Sequence, residues 1–150
     1  MSGPRLHHVS VTCSDLDRSI TFYGGLLELP LLGRGESDGP EQQVLELLEY
    51  MSPRGERVRQ RTNDAGSGHI GFSVDDADVM HRRLVEGGAV VRSEPIALTE
   101  EGEWHGVRTM YALDTDGVTV ELVERVRRVV VIPDIDAERI EGSAEAAEPA

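Results

Sequence analysis

Hydrophobic and polar residues alternate along two matched segments of the chain. In "GHIGFSVDD", residues 68–76, three apolar side chains fall on one face of a predicted strand and His69 falls on the other. His8 opens a similar alternation in "HHVSVTCSD", and in both segments an aspartate follows the histidine by seven residues. Because a helical pattern follows each aspartate, we expect an internal duplication.

The alternation and the turn signals predict one unit used twice: a strand, a helix, and then two or three strands. Gly and Asp-rich stretches mark the turns, and a double glycine lies near the end of each predicted helix, at 24–25 and at 87–88. The predicted strands are 6–13, 29–33 and 42–50 in the first half and 69–74, 89–98, 107–114 and 118–126 in the second; the predicted helices are 14–27 and 76–87. The first half offers less chain for its later strands, so we expect it to be one strand short.

Length, composition and charge limit the function classes. The 150 residues, of which 39% are hydrophobic, suit a single domain. A net charge of −13 argues against nucleic-acid binding, which needs a positive surface. No apolar run approaches the roughly 20 residues of a membrane span, and no signal-peptide pattern follows Met1, so we expect a cytoplasmic protein without a membrane partner. The lone Cys13 lies on an apolar face and is predicted to be a buried structural thiol.

Two glutamate-bearing stretches form a second internal match. "LELLEY" at 45–50 and "VELVER" at 120–125 align Glu46 with Glu121. Each half therefore has a histidine at its first strand and a glutamate at its last. Two imidazoles and two carboxylates suit a divalent ion such as zinc, iron, nickel, cobalt or manganese, and they leave positions open for substrate oxygens.

These stretches resemble the vicinal oxygen chelate superfamily, which includes glyoxalases, epimerases, extradiol dioxygenases and bleomycin resistance proteins. The resemblance is carried by "LHHVSVTCSDLDRSITFYGGLLEL", "GHIGFSVDDADVMHRRLVEGGAVV" and "LDTDGVTVELVE". It implies an α+β fold in which two tandem βαβββ modules form a cupped mixed sheet around a metal site. It also implies a homodimer, with the site lying within one chain or shared between two.

The resemblance implies specific ligands in this chain. His8 matches the ligand of the first strand, His69 the ligand that opens the second module, and Glu121 the carboxylate of the last strand. Glu46 matches the fourth ligand, and Glu49 replaces it if the register differs. Glu46 and Glu121 are also the predicted catalytic carboxylates.

The expected organisation is one domain, residues 1–128, followed by a C-terminal arm and an acidic tail, residues 129–150. Within the domain, 5–51 is the first module, 52–67 the linker and 68–126 the second module.

The leading prediction is a metal-dependent lyase or isomerase of the glyoxalase/epimerase kind that enolises a small carbonyl substrate bound to the ion. Four residues in or near the loop "EWHG" are predicted to contact the substrate, namely Trp104, His105, Arg108 and Tyr111. One alternative is an extradiol-type Fe(II) dioxygenase, since two histidines and one carboxylate form its facial triad. The other is a metal-free drug-binding protein like the bleomycin resistance proteins. Neither the substrate nor a thiol cofactor can be read from the sequence.

Overall fold

The computed structural model describes residues 6–33, 44–59, 61–102 and 104–124. Within them the chain forms seven strands and two helices. The strands are β1 His8–Thr12, β2 Val44–Leu48, β3 His69–Val74, β4 Val90–Val91, β5 Ile96–Ala97, β6 Arg108–Leu113 and β7 Thr119–Glu124. The helices are α1 Leu16–Ile20, which continues as a π-helical segment Thr21–Leu26, and α2 Ala77–Glu86.

The described strands form two sheets, a parallel pair and a mixed sheet of five strands. β1 pairs with β2 in parallel, and a second sheet has the order β3-β7-β6-β4 with the short β5 also on β6. β3 and β7 run parallel, whereas β6 is antiparallel to both β7 and β4. The predicted α+β class is confirmed, and in both sheets the strand that begins with a histidine pairs with the strand that bears a glutamate.

Both helices begin in the same way, at the aspartates that the internal match aligned. The side chain of Asp15 accepts a hydrogen bond of 3.0 Å from the backbone amide three residues later, and Asp76 accepts one of 2.9 Å at the equivalent place. Such caps satisfy amides that have no partner inside the helix. The two helices therefore start at equivalent positions of the internal repeat.

A glutamate from the last strand of each half also holds the start of each helix. Glu49 accepts from the amide of Leu16, and Glu124 accepts from the amide of Ala77, both at 3.1 Å. A carboxylate at a helix N-terminus is further favoured by the helix dipole. This pair of contacts explains why each half carries a second glutamate three residues after the first.

The core lies between the helices and one face of the second sheet. Tyr23 from the π-helical segment and Leu84 from α2 pack with Met110, Leu122 and their neighbours, and four of the sheet residues in this layer are fully buried. Cys13 is also buried, as predicted, and its thiol donates to the carbonyl of Leu48 at 3.3 Å. Because side chains alternate across a strand, the residues between those core positions lie on the opposite face, which is more open.

A buried hydrogen bond joins the helix of the first half to the last turn of the second. The hydroxyl of Tyr23, which is 3% exposed, donates to the carboxylate of Asp114 at 2.9 Å. Burial raises the pKa of Tyr23, and the adjacent Asp114 carboxylate raises it further. The neutral phenol is thus the form that fits the folded protein.

We expect Tyr23→Phe to flatten the alkaline dependence of stability. The stability associated with the raised pKa is complete below the ordinary tyrosine value of 10.0 and falls as pH rises above it, because only the unfolded phenol then loses its proton. The loss amounts to at most about 1.4 kcal/mol per pH unit. Urea unfolding between pH 8 and 11 measures it; equal slopes for the variant and the wild type would contradict this account.

Two predicted strands are wrong in detail. Residues 29–33 form no strand: Glu28 adopts a left-handed conformation with φ 56°, the amide of Leu29 closes back onto the carbonyl of Tyr23, and Pro30 has no amide to donate. The predicted strand 89–98 is two short strands, β4 and β5, separated by a bend that contains Pro95.

Other predictions concern parts of the chain that the structure does not describe. The C-terminal arm and tail, 129–150, lie outside the described residues, as do 34–43, which hold the predicted turn region and the first two residues of the predicted strand 42–50. In the portion that is described, no helix combines the length and apolar character needed to cross a membrane.

Candidate metal centre

His69 and Glu121 form the more ordered of two histidine–glutamate pairs. Nε2 of His69 lies 3.0 Å from Oε2 of Glu121. The pairing of β3 with β7 sets Gly71 opposite Glu121. His69 precedes Gly71 by two residues, so its side chain lies on the same face of the sheet as that of Glu121. The side chain of Glu121 is 19% exposed and that of His69 is 49% exposed. We call these two residues the second pair.

The neighbouring strand β6 supplies two hydroxyl groups to the same carboxylate. Thr109 Oγ1 donates to Oε1 of Glu121 at 2.8 Å, and the hydroxyl of Tyr111 donates to it at 3.0 Å. The ring of Tyr111 also packs edge-on against His69, with centroids 5.8 Å apart. Burial raises the pKa of Tyr111, as does its hydrogen bond to Glu121, so its hydroxyl remains a donor.

The role of Thr109 is not apparent from the sequence argument. The signal that could have found it is the alternation in "RTMYAL", which places Thr109 on the same face as Tyr111. Only the pairing of β6 with β7, Tyr111 opposite Glu121, shows that this face is the one with the carboxylate.

His8 and Glu46 form the first pair, which is looser. Nε2 of His8 lies 3.9 Å from Oε2 of Glu46, and each side chain is 48% exposed. The first pair has the same strand register as the second pair. Ser10 lies opposite Glu46 on β2, and His8 precedes Ser10 by two residues. The other ring nitrogen of His8, Nδ1, lies 3.0 Å from Nδ1 of His7, an arrangement that leaves Nε2 directed to the carboxylate.

The register places Glu46, rather than Glu49, beside the first histidine. Glu49 binds the start of α1 and also pairs with Arg54 at 3.0 Å. Its equivalent, Glu124, likewise binds the start of α2. The two glutamates of each half thus have separate tasks, one beside a histidine and one beside a helix.

The two pairs do not form one cluster in the described part of the chain. Over those ranges, no three histidine, cysteine or carboxylate side chains lie close enough to hold one ion. Both arrangements of the site, within one chain and shared between two, stay predictions.

The chemistry of each pair fits a divalent metal. Imidazole nitrogen and carboxylate oxygen bind zinc and similar ions at about 2.0–2.2 Å, so two ligands at right angles on one ion lie about 3 Å apart. The atoms Nε2 and Oε2 of the second pair are separated by 3.0 Å. The second pair thus needs little rearrangement to act as half of such a site. In the first pair, the distance of 3.9 Å between Nε2 of His8 and Oε2 of Glu46 would have to shorten.

Arg108 has a different position from the one predicted for a substrate-binding residue. Its guanidinium pairs with Asp78 at 2.8 Å and with Glu124 at 3.1 Å, on the helix side of the sheet and opposite the face of Glu121. The hydrogen bond that Arg108 donates to Asp78 raises the pKa of the guanidinium, and the ion pair holds α2 to the sheet. A structural role accounts for this arginine better than contact with substrate.

Trp104 and His105 are exposed in the loop before β6, and the Trp104 residue is 64% exposed. The loop is closed by a hydrogen bond from the amide of Val107 to the carbonyl of Trp104. Their proposed contact with a substrate stays a prediction.

A cleft of about 450 Å³ lies between the linker and the turn before β7. Its arginines are paired with carboxylates: Arg57 approaches Asp116, and Arg61 binds Asp64 at 3.1 Å. The histidines and glutamates of the two pairs are not among its lining residues. Among the described residues, the arginines of the cleft are thus paired with carboxylates, and the two histidine–glutamate pairs lie outside it.

Comparison with known proteins agrees with the fold. The sequence profile of the Glyoxalase/Bleomycin resistance protein/Dioxygenase superfamily matches residues 5–122. The chain belongs to this superfamily.

Its relatives include named enzymes. It is 34% identical over 133 residues to a lactoylglutathione lyase of Salmonella typhimurium, an alignment that covers 80% of this chain and 92% of the relative. It is 27% identical over 143 residues to a 2-epi-5-epi-valiolone epimerase of Actinomyces sp, covering 79% and 78% of the two chains.

Solved structures share the fold at lower identity. The trypanothione-dependent glyoxalase I of Leishmania major superimposes with a TM-score of 0.60 at 21% identity, covering 96% of this chain and 94% of that one. Glyoxalase I from Zea mays gives a TM-score of 0.65 at 22% identity, covering 81% of this chain and 45% of that one. The chain thus spans less than half of the maize enzyme.

Proposed function

We propose that the protein is a metal-dependent lyase or isomerase that enolises a small carbonyl substrate. The observation that carries the proposal is the repeated pair: His8 with Glu46 and His69 with Glu121, each at the same register of a parallel strand pair. Relatives named as a lyase and as an epimerase support the same class of reaction.

Four atoms would hold the ion: Nε2 of each histidine and one carboxylate oxygen of each glutamate. These borderline ligands suit zinc, nickel, cobalt, manganese or iron, and they leave octahedral positions open. A divalent ion there would supply a Lewis acid that stabilises negative charge on a substrate oxygen.

The proton would be moved by a carboxylate of the chain. Glu46 is half exposed, and among the described residues its side chain contacts only His8, so the carboxylate oxygen that does not hold the ion would take a proton from the carbon next to a carbonyl. The electrons of that C–H bond move to the carbonyl oxygen. Return of a proton to the same carbon from the opposite face would invert the centre and needs a second acid, for which Glu121 is the candidate; return to the neighbouring carbon would isomerise the substrate.

A second copy of the chain would complete the site. In the described sheets β1 pairs only with β2, and β3 pairs only with β7, so both histidine-bearing strands lie at open edges. An open edge offers unpaired backbone groups to another chain. A twofold dimer that sets β1 of one copy beside β3 of the other would bring the first pair of one copy to the second pair of its partner, twice.

Metal binding and proton exchange test the proposal together. Protein purified without chelator should bind nickel or cobalt in a calorimetric titration. In D₂O it should exchange the C–H proton of a suitable carbonyl compound; the panel comprises the adduct of methylglyoxal with glutathione and a cyclic hydroxyketone. His69→Ala should weaken metal binding and slow exchange by at least about 100-fold, because a ligand is lost. His81→Ala on α2 is the matched control and should leave both unchanged.

The same experiment distinguishes the alternatives. Oxygen uptake with Fe(II) and a catechol, without proton exchange, would replace the proposal with a dioxygenase. Absence of metal binding, with ligand binding unchanged in His8→Ala and His69→Ala, would replace it with a drug-binding protein.

A further inference from the structure

The two oxygens of Glu121 have different partners. Oε1 accepts both hydroxyl groups, from Thr109 at 2.8 Å and from Tyr111 at 3.0 Å, while Oε2 faces Nε2 of His69 at 3.0 Å. One oxygen is thus fully engaged by the sheet, and the other is directed toward the imidazole. A carboxylate held in this way has one oxygen available for an ion.

The hydroxyl groups are rigidly placed. Thr109 is 4% exposed, and Tyr111 lies directly opposite Glu121 in the antiparallel pairing of β6 with β7. Both side chains rise from one strand, two residues apart, so the sheet fixes their separation. Neither hydroxyl has to be recruited when a ligand binds.

The first pair lacks such support in the described residues. Glu46 has only the contact of 3.9 Å with His8, and its side chain is 48% exposed, compared with 19% for Glu121. Within the described residues, support from two hydroxyl groups is therefore specific to Glu121.

We propose that Thr109 and Tyr111 are positioning residues that hold Glu121 as a metal ligand acting through Oε2. The inference rests on the proposed function and adds the two side chains that orient one of its ligands. Tyr111, predicted to contact the substrate, would act through Glu121 instead.

Metal affinity is the main readout, because it does not depend on turnover. Tyr111→Phe and Thr109→Val each remove one hydroxyl with little change of shape. Each should raise the Kd for nickel about 10–100-fold, as is typical when a partner of a metal ligand is removed. At saturating nickel, proton exchange should stay within about threefold of wild type, since the assigned base is untouched. Tyr50→Phe, at a tyrosine that is 57% exposed, is the control and should change neither quantity.

Glu46→Gln should instead reduce the rate of proton exchange at saturating nickel. It retains an oxygen for the ion but cannot take a proton, so exchange at saturating nickel should fall by about 100-fold or more. Circular dichroism and thermal unfolding of every variant show whether the fold is kept, and the near-isosteric Thr109→Val repeats the test should Tyr111→Phe unfold.

The outcomes separate this inference from the function on which it rests. If the wild type binds nickel and exchanges protons but both hydroxyl variants keep its Kd, the inference is overturned and the proposed function stands. A large loss of exchange in Tyr111→Phe at saturating nickel, with an unchanged Kd, also overturns it, because the hydroxyl would then act on the substrate and not on Glu121. If the wild type binds no metal, both fail.

Discussion

A heterodimer of two inactive variants is expected to regain about half of the wild-type proton exchange. One chain carries His8→Ala and the other carries His69→Ala. If each site uses the first pair of one copy and the second pair of the other, one of the two sites in the heterodimer contains both mutations. The other site contains neither and should work normally.

The structural reason is the separation of the two pairs within the described part of the chain, where no three ligand-type side chains gather. Both histidines are about half exposed, at 48% and 49%, so either truncation should leave the fold intact. The two chains are co-expressed with different tags, the doubly tagged dimer is purified, and its mass and exchange rate are measured.

A second heterodimer serves as the control for this experiment. A heterodimer of His8→Ala with the wild type should also show about half of the activity, which calibrates the effect of the tags. If the heterodimer of the two variants is as inactive as its parents, each site lies within one chain. A monomeric wild type that is fully active would equally exclude the shared site.

The largest expected change in stability is at Asp114, with a loss of about 3 kcal/mol or more on substitution by alanine. Oδ1 of Asp114 accepts the backbone amides of Asp116 and Val118 at 2.9 and 2.8 Å, and Oδ2 accepts the hydroxyl of Tyr23. The side chain is 6% exposed, so its removal leaves donors without a partner and without ready access to water. Urea unfolding at pH 7 measures the change.

Two further substitutions define the origin of that loss. Asp114→Asn keeps an oxygen for the two amides and should cost only about 1 kcal/mol. Asp75→Ala removes an exposed aspartate and should stay within about 0.5 kcal/mol of wild type. A loss at Asp114→Ala no greater than that at Asp75→Ala would show that the buried contacts do not stabilise the fold.

Much of the second half of the fold could be predicted from the sequence. The alternation in "HIGFSV" and the cap at Asp76 are local signals, and the structure has β3 at His69–Val74 and α2 at Ala77–Glu86. The first half was harder to predict, because the apolar run after α1 resembles a strand. The left-handed Glu28 and the proline at 30 instead direct the chain away from a sheet.

The residues of the candidate site could also be predicted only in part from the sequence. The repeat identifies His8, His69, Glu46 and Glu121, because equivalent residues in two copies point to equivalent positions. The repeat cannot show which copy of the chain supplies each pair, since that depends on contacts between distant segments. It also assigns no face to Arg108, whose position against Glu124 follows from the pairing of β6 with β7.

The spacing of the two glutamates at the end of each half has a consequence for how the chain can vary. In β7, Glu121 lies on one side of the sheet beside His69, and Glu124 lies on the other side at the start of α2. An insertion or deletion of one residue between them would invert every side chain that follows, so one of the two contacts would be lost. The length of this short segment is thus as constrained as its chemistry, and related chains should tolerate substitutions there more readily than changes of length.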